Sequence, residues 1–174
     1  DKDQADWDDI SHLHEVGTLC SVFDIRRDPA AGPFVHVFGL QRIRIEKQIH
    51  GRPHVMAKIR QIQSKMPEES RKDYIKAYIQ EIVRVMADLI KVNPTTRDYL
   101  MQLRHTMDQN PSRIADYAAA ATSAQGAELQ DVLETIDVDE RLPKGLLLLK
   151  KELDMSNFQR SVAKQIEEKM TSQQ

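Results

Sequence analysis

The chain has 174 residues, 40% hydrophobic and 30% charged, with a formal net charge of -2, which suits one domain, or one domain with an appendage, of globular rather than disordered composition. That balance argues against a basic face built to neutralise phosphates, so nucleic acid is not favoured as a partner. A single cysteine, Cys20, excludes an intramolecular disulfide and a cysteine-rich zinc site and points to a reducing compartment, and no apolar run approaches the ~20 residues of a membrane-spanning helix.

The opening stretch DKDQADWDDI is acidic where a signal or transit peptide would be basic, so any targeting segment is expected to have been removed or never present. His12 and His14 flank Leu13 and would project to one side of an extended segment. Without a third ligand nearby they read as surface histidines rather than as a metal site.

From Val16 to about Ile62 the apolar residues alternate with a period near two. GTLCSVFDIRR forms one strand, DPAAGP supplies the proline and glycine of a turn, and FVHVFGLQRIRIEKQI forms a second. In it Val35, Val37, Ile43 and Ile45 are expected on one face and Arg42, Arg44 and Glu46 on the other, with Gly39 marking a bulge or tight bend. HVMAKIRQIQ, after the His50-Gly51-Arg52-Pro53 breaker, is a third strand. Cys20 lies in this pattern and reads as a small buried hydrophobe rather than as a nucleophile.

After Pro67 the period becomes 3.6. Ser70 is placed to cap a helix whose stripe is Ile75, Ile79, Ile82, Met86, Leu89 and Ile90, ended by Asn93-Pro94. Glu68, Glu69, Arg71 and Lys72 fit a solvated first turn. A second helix is expected from Pro94 through Tyr99, Leu100 and Leu103 to about Met107. Asn110 and Pro111 cap and open another, whose alanines permit close approach of a neighbour, and AELQDVLETI forms a short one.

The last element, LLLLKKELDMSNFQRSVAKQIEEKM, is the longest, with its start expected near Glu140 or Arg141 so that Pro143 falls in the first turn. On a helical wheel Leu142, Leu146, Leu149 and Leu153 make one stripe, while Met155, Phe158, Val162, Ile166 and Met170 make a second on roughly the opposite side. One rigid helix cannot bury both stripes against the same neighbour. The second is therefore read as a subunit or substrate contact, against the alternative of a helix kinked at Ser156-Asn157 and folded back on its own bundle. The fold class is α+β: an antiparallel strand-rich region at 1–66, a helical bundle at 67–136 and a long helix at 137–174.

No phosphate loop, nucleophile elbow or zinc helix motif occurs, so no catalytic, cofactor-binding or metal-binding residue is assigned. HEVGTLCSV followed by a hairpin and VFGLQRIRI, together with the run from Asn110 to Met170, resembles the N-terminal domain of the ATP-dependent Lon proteases. The wording around Leu129 to Glu134 and Lys150 to Leu153 is most similar to the mitochondrial type. The resemblance implies a strand-rich pseudo-barrel, a helical bundle and a long helix running toward an AAA+ module and a Ser-Lys protease module, both absent from this sequence.

It also implies an N-terminal region that recognises unfolded or degron-bearing proteins and stabilises a hexamer in the mitochondrial matrix. ATP and Mg would serve the whole enzyme, and this segment would need no cofactor. Further strands normally precede the V-G-T segment in that family, so the barrel is expected to be incomplete, with an unpaired edge. Phe34, Phe38 and Leu40 are candidates for a substrate surface, at least two of them being expected in the core. The alternatives are a free-standing adaptor or ligand-binding module of the same fold and, less favoured, a hydrolase using Cys20.

Overall fold

A computed structural model describes residues 9–51, 53–94, 96–97, 101 and 110–172. Strands β1 (Val16–Asp28), β2 (Gly32–His50) and β3 (Met56–Gln61) form an antiparallel sheet in that order. Helices α1 (Lys72–Val92), α2 (Pro111–Ala120), α3 (Gly126–Glu134) and α4 (Val138–Ser172) follow. The α+β order of strands before helices is the one read from the periodicity. The chain divides into two compact units, residues 1–63 and 64–174.

In the first unit β1 and β2 are joined by a tight turn in which Gly32 takes a φ of 85°, a conformation that costs a side chain little only at glycine. Asp28 steadies the turn by accepting from the amides of Ala30 and Ala31 at 2.7 and 2.9 Å. The expected bulge at Gly39 is present: Cys20 faces Gly39 while Leu19 faces Gln41, leaving Leu40 as the extra residue.

That extra residue overturns the expected alternation. Directly opposed residues share a face, so Val37 lies with Val22, whereas Arg42 and Arg44 lie with Thr18 and Val16 on that same side. Ile43 and Ile45 therefore face the other way from Val35 and Val37. One inserted residue in a structure of period two reverses every side chain beyond it. A second irregularity, at Phe23, sits between Val22 and Asp24.

In the second unit α1 begins at Lys72 behind a 3-10 turn, Glu69–Arg71, so Ser70 lies inside the turn and does not cap the helix. Asn110 does cap α2, its side chain accepting from the Ser112 amide at 3.0 Å, with Pro111 in the first turn. Of the helix expected from Pro94 to about Met107, Pro94, Thr96, Arg97 and Met101 are described and helical, while Tyr99, Leu100, Leu103 and Met107 lie outside the described residues.

The core joins Ile75, Ile82, Val85, Met86 and Leu89 of α1 to Ile114, Ala115 and Ala118 of α2 and to Val138, Leu142, Leu146 and Leu149 of α4. Ile79, Ile90 and Leu153 are half-buried against it. Close approach is concentrated at Gly145, where an added Cβ would stand 2.8 Å from the Ala115 carbonyl oxygen. The alanines of α2 and the glycine of α4 thus let two backbones come together.

α4 begins two or three residues earlier than expected. Its first-turn amides find partners outside the ordinary helical ladder: Val138 donates to the Lys65 carbonyl at 3.1 Å and Asp139 to the Asp137 carboxylate at 3.1 Å. Pro143 consequently falls in the second turn, where it removes one helical donor.

Candidate functional site

α4 runs unbroken from Val138 to Ser172. The kink considered at Ser156-Asn157 is absent; Ser156 is a buried residue inside the helix. Along its second half Met155, Phe158, Val162, Ile166 and Met170 are all exposed, Phe158 at 65% and Met170 at 68%. The folded-back alternative is thereby overturned: the structure carries an open apolar stripe rather than a second buried face.

Sequence reasoning missed where this stripe starts. Leu148 points to the stripe's side of the wheel yet is buried, because α3 covers it: Leu148 packs with Val132, Ala119 and the half-buried Leu129 and Ala124. Beyond it the cover ends. Leu147, Leu148, Met155 and Phe158 then floor a groove of about 740 Å³, with Glu128, Lys150, Lys151 and Asp154 around it. Proximity of α3 could be anticipated from its apolar residues, but not which turn of α4 it would shield.

The groove's walls are pinned by polar contacts. Glu152 accepts from both the amide and the hydroxyl of Ser123, at 2.8 and 2.6 Å, and the Lys151 ammonium donates to Glu128 at 2.7 Å. Glu128 also accepts from the Gln125 amide at 3.1 Å, closing the first turn of α3. Lys151 chiefly, and that amide next, hold the Glu128 carboxyl below its ordinary pKa. Lys150 is bound to Glu81 of α1 at 2.9 Å. Arg84 first and Lys150 second draw the Glu81 pKa down to about 2.

A second candidate surface lies on the sheet. Phe34, Phe38 and Leu40 are exposed, so the expectation that at least two of them enter the core is not met. Phe34 and Phe38 share a face with His36 and Phe23: ring centroids are 4.8 Å apart for Phe23–Phe38, 5.5 Å for Phe23–His36 and 5.3 Å for Phe34–His36. The His36 ring nitrogen lies 3.5 Å from the Asp24 carboxylate, which accepts from Arg26 at 2.6 Å. Phe23 was not anticipated; it stands two residues from Ser21, which opposes Phe38, so strand alternation puts its ring on that face. Among the described residues of the three strands only Val16 and Ile43 are buried, which is why hydrophobic strand positions did not become core.

Cys20 is likewise exposed rather than buried, its sulfur 3.5 Å from the Thr18 carbonyl oxygen. Among the described residues no three His, Cys, Asp or Glu side chains gather to hold a metal ion, and no helix is long and apolar enough to cross a membrane.

Residues 1–151 match the family described as the ATP-dependent protease La (LON) substrate-binding domain. The chain is 33% identical over 175 residues to Lon protease 1 of Syntrophotalea carbinolica, covering 99% of this chain and 21% of that protein. It is 33% identical over 166 residues to the mitochondrial Lon protease homolog 1 of Arabidopsis thaliana, covering 95% of this chain and 17% of that one. It thus spans about a fifth of the length of the curated relatives it matches. The fold is similar to the N-terminal domain of Mycobacterium avium complex Lon protease, with a TM-score of 0.62 at 20% identity over 78% of this chain and 70% of that one.

Proposed function

Since this chain belongs to the family of substrate-binding domains of ATP-dependent Lon proteases, we propose that it captures unfolded or degron-bearing polypeptides for a serine protease that clears misfolded and damaged proteins. On this reading residues 1–66 form a strand-rich receptor region, 67–136 a helical bundle, and 137–174 a long helix leading toward an AAA+ module. ATP and Mg would act in that module, and catalysis in a further protease module; no residue of this chain takes a catalytic role. The mitochondrial relatives, found in plants and an alga alongside bacterial ones, favour a place in the mitochondrial matrix.

The observation that carries the proposal is exposed apolar surface, in a chain of this family, at two places where ordinary folding would bury it. A soluble protein rarely leaves such patches open without a binding role. Phe34, Phe38 and Leu40 supply a substrate surface on the sheet. Met155, Phe158, Val162, Ile166 and Met170 supply a seam for a neighbouring subunit or for substrate, consistent with a hexameric whole enzyme.

The test uses the 174-residue chain and a fluorescein-labelled globular protein, reduced and carboxymethylated so that it stays unfolded. Fluorescence anisotropy should rise saturably with the unfolded form and not with the same protein in its native form. Equal binding of both forms, or of neither, would overturn the proposal. For the seam, light scattering of the parent should show mass increasing with concentration, and a Val162→Asp, Ile166→Asp variant should remain a folded monomer. Two monomers of equal mass would remove self-association from the account.

A further inference from the structure

We propose that His36 is a protonation switch on the aromatic face of the sheet: with its imidazole neutral the face takes an apolar stretch of unfolded chain, and with the imidazole protonated it holds that stretch less tightly. This rests on the reading of the face as a capture surface and adds its regulation.

The first argument is position. Phe34, His36 and Phe38 alternate along β2 and so share a face, and across the strand pair Arg26 opposes Phe34, Asp24 opposes His36 and Ser21 opposes Phe38. The four rings run in the order Phe34, His36, Phe23, Phe38, each 4.8–5.5 Å from the next. His36 stacks on Phe23 at an interplanar angle of 20° and meets Phe34 edge-on at 67°. The imidazole is therefore the link between Phe34 and the other two phenylalanines. A neutral imidazole continues the aromatic surface, and a protonated one places a charge in the middle of it. Its side chain is 40% exposed, so a proton reaches it from solvent and an occupant of the row must cover it.

Charge supplies the second argument. The charged groups beside His36 are Asp24 and Arg26, both from β1; its own strand presents Phe34 and Phe38 next to it, and β3 pairs only with the other end of β2, Ile43 to His50. Asp24 is engaged by Arg26 at 2.6 Å, and the His36 Nδ1 stands 3.5 Å from the same carboxylate oxygen, longer than a close hydrogen bond. With the imidazole neutral, one cation and one carboxylate balance. Protonation sets two cations against one carboxylate and leaves the row with a net positive charge. An apolar segment laid over it must then strip water from an imidazolium that Asp24 neutralises only in part, which opposes binding.

The probe is a rhodamine-labelled peptide of leucine, phenylalanine, serine and glycine with blocked ends, followed by fluorescence anisotropy on the 174-residue chain at about pH 8 and about pH 5.5, the interval in which histidine alone among ordinary side chains changes charge. The parent should bind about fivefold more weakly at the lower pH, the scale of one partly exposed charge. His36→Gln, neutral throughout, should show one affinity at both values. His36→Arg, charged throughout, should bind as weakly at the higher pH as the parent does at the lower. A variant carrying His12→Gln, His50→Gln and His54→Gln should keep the parent's pH dependence. Circular dichroism should show all of them folded alike at both values, since the Glu81 carboxyl, lowered to about 2, keeps its pairs through this interval.

The unfolded carboxymethylated protein, labelled with rhodamine, is titrated in parallel. If the parent binds it and the peptide equally well at both pH values, or more tightly in acid, the switch is overturned and the capture reading stands. If His36→Gln still loses affinity in acid, or the triple histidine variant no longer does, another group carries the effect and the assignment to His36 is wrong. If the parent binds neither probe at either pH, the capture reading fails and the switch with it.

Discussion

Arg141 is fully buried at the start of α4, an uncommon place for a guanidinium. Its Nε donates to the Thr135 carbonyl at 2.6 Å, Nη2 to the Ile136 carbonyl at 3.1 Å, and Nη1 to the hydroxyls of Ser112 and Ser64 at 2.8 and 3.2 Å. The Asp116 carboxylate, 3.6 Å away and 40% exposed, contributes charge from the edge rather than a close bond. Arg141 thus ties the chain entering the helical unit and the turn before α4 to α2. Arg141→Met should cost about 3 kcal/mol in urea unfolding, because the carbonyls it serves would stay buried without donors; a loss below roughly 0.5 kcal/mol would contradict the assignment. Nothing in the sequence marks it, since a basic residue in a first turn reads as solvated. Gly145 is the reverse case, partly legible through the alanines opposite it. A helix interior normally gains about 0.5–1 kcal/mol from Gly→Ala. Here the new methyl would meet a backbone oxygen at 2.8 Å, so Gly145→Ala should lower stability by about 1–2 kcal/mol. A rise in Tm would show that α2 and α4 are not in close contact.

At the scale of elements, α1 and α4 are coupled through Glu81, which binds Arg84 within its helix at 2.8 Å and Lys150 across to α4 at 2.9 Å. Its carboxyl is lowered from the ordinary 4.5 to about 2 in the folded chain. A depressed folded pKa stabilises above the unfolded value and loses that contribution as pH falls, so the Glu81 effect should disappear between about pH 4.5 and 2. Asp88, Glu128 and Asp137, all lowered by lysine partners first, act in the same direction. The urea midpoint should therefore drop across that window, and less steeply in Glu81→Gln; parallel curves for the two chains would refute the coupling. The helices were legible because an amphipathic stripe is a long-range signal repeated over several turns. Their starts were not: the early start of α4 depends on partners such as the Lys65 carbonyl, which lies 73 positions before Val138 in the sequence. In the sheet the bulge was legible from Gly39 but its consequence was not, since a single extra residue inverts a pattern of period two. The strand faces were assigned as though the alternation continued through it.

For the whole molecule, strands followed by helices and a two-faced terminal helix could be read because each rests on periodicity within a continuous segment. The open surfaces could not be read fully. Burial is decided by what covers an element, and hydrophobic strand residues such as Phe38 and Leu40 look the same in sequence whether covered or exposed. Phe23 lies on the aromatic face because β1 pairs with β2 so that Ser21 opposes Phe38, a register neither strand announces alone, and the groove formed because α3 shields Leu148 and leaves Met155 exposed. The central claim, capture of unfolded chains on these surfaces, is tested most directly by amide hydrogen exchange of the 174-residue chain with and without a saturating, permanently unfolded polypeptide. The account predicts slowed exchange across Phe34–Leu40 and around Leu147–Phe158, with α1 unchanged. Saturating polypeptide that slows neither segment, or slows only α1, would contradict it.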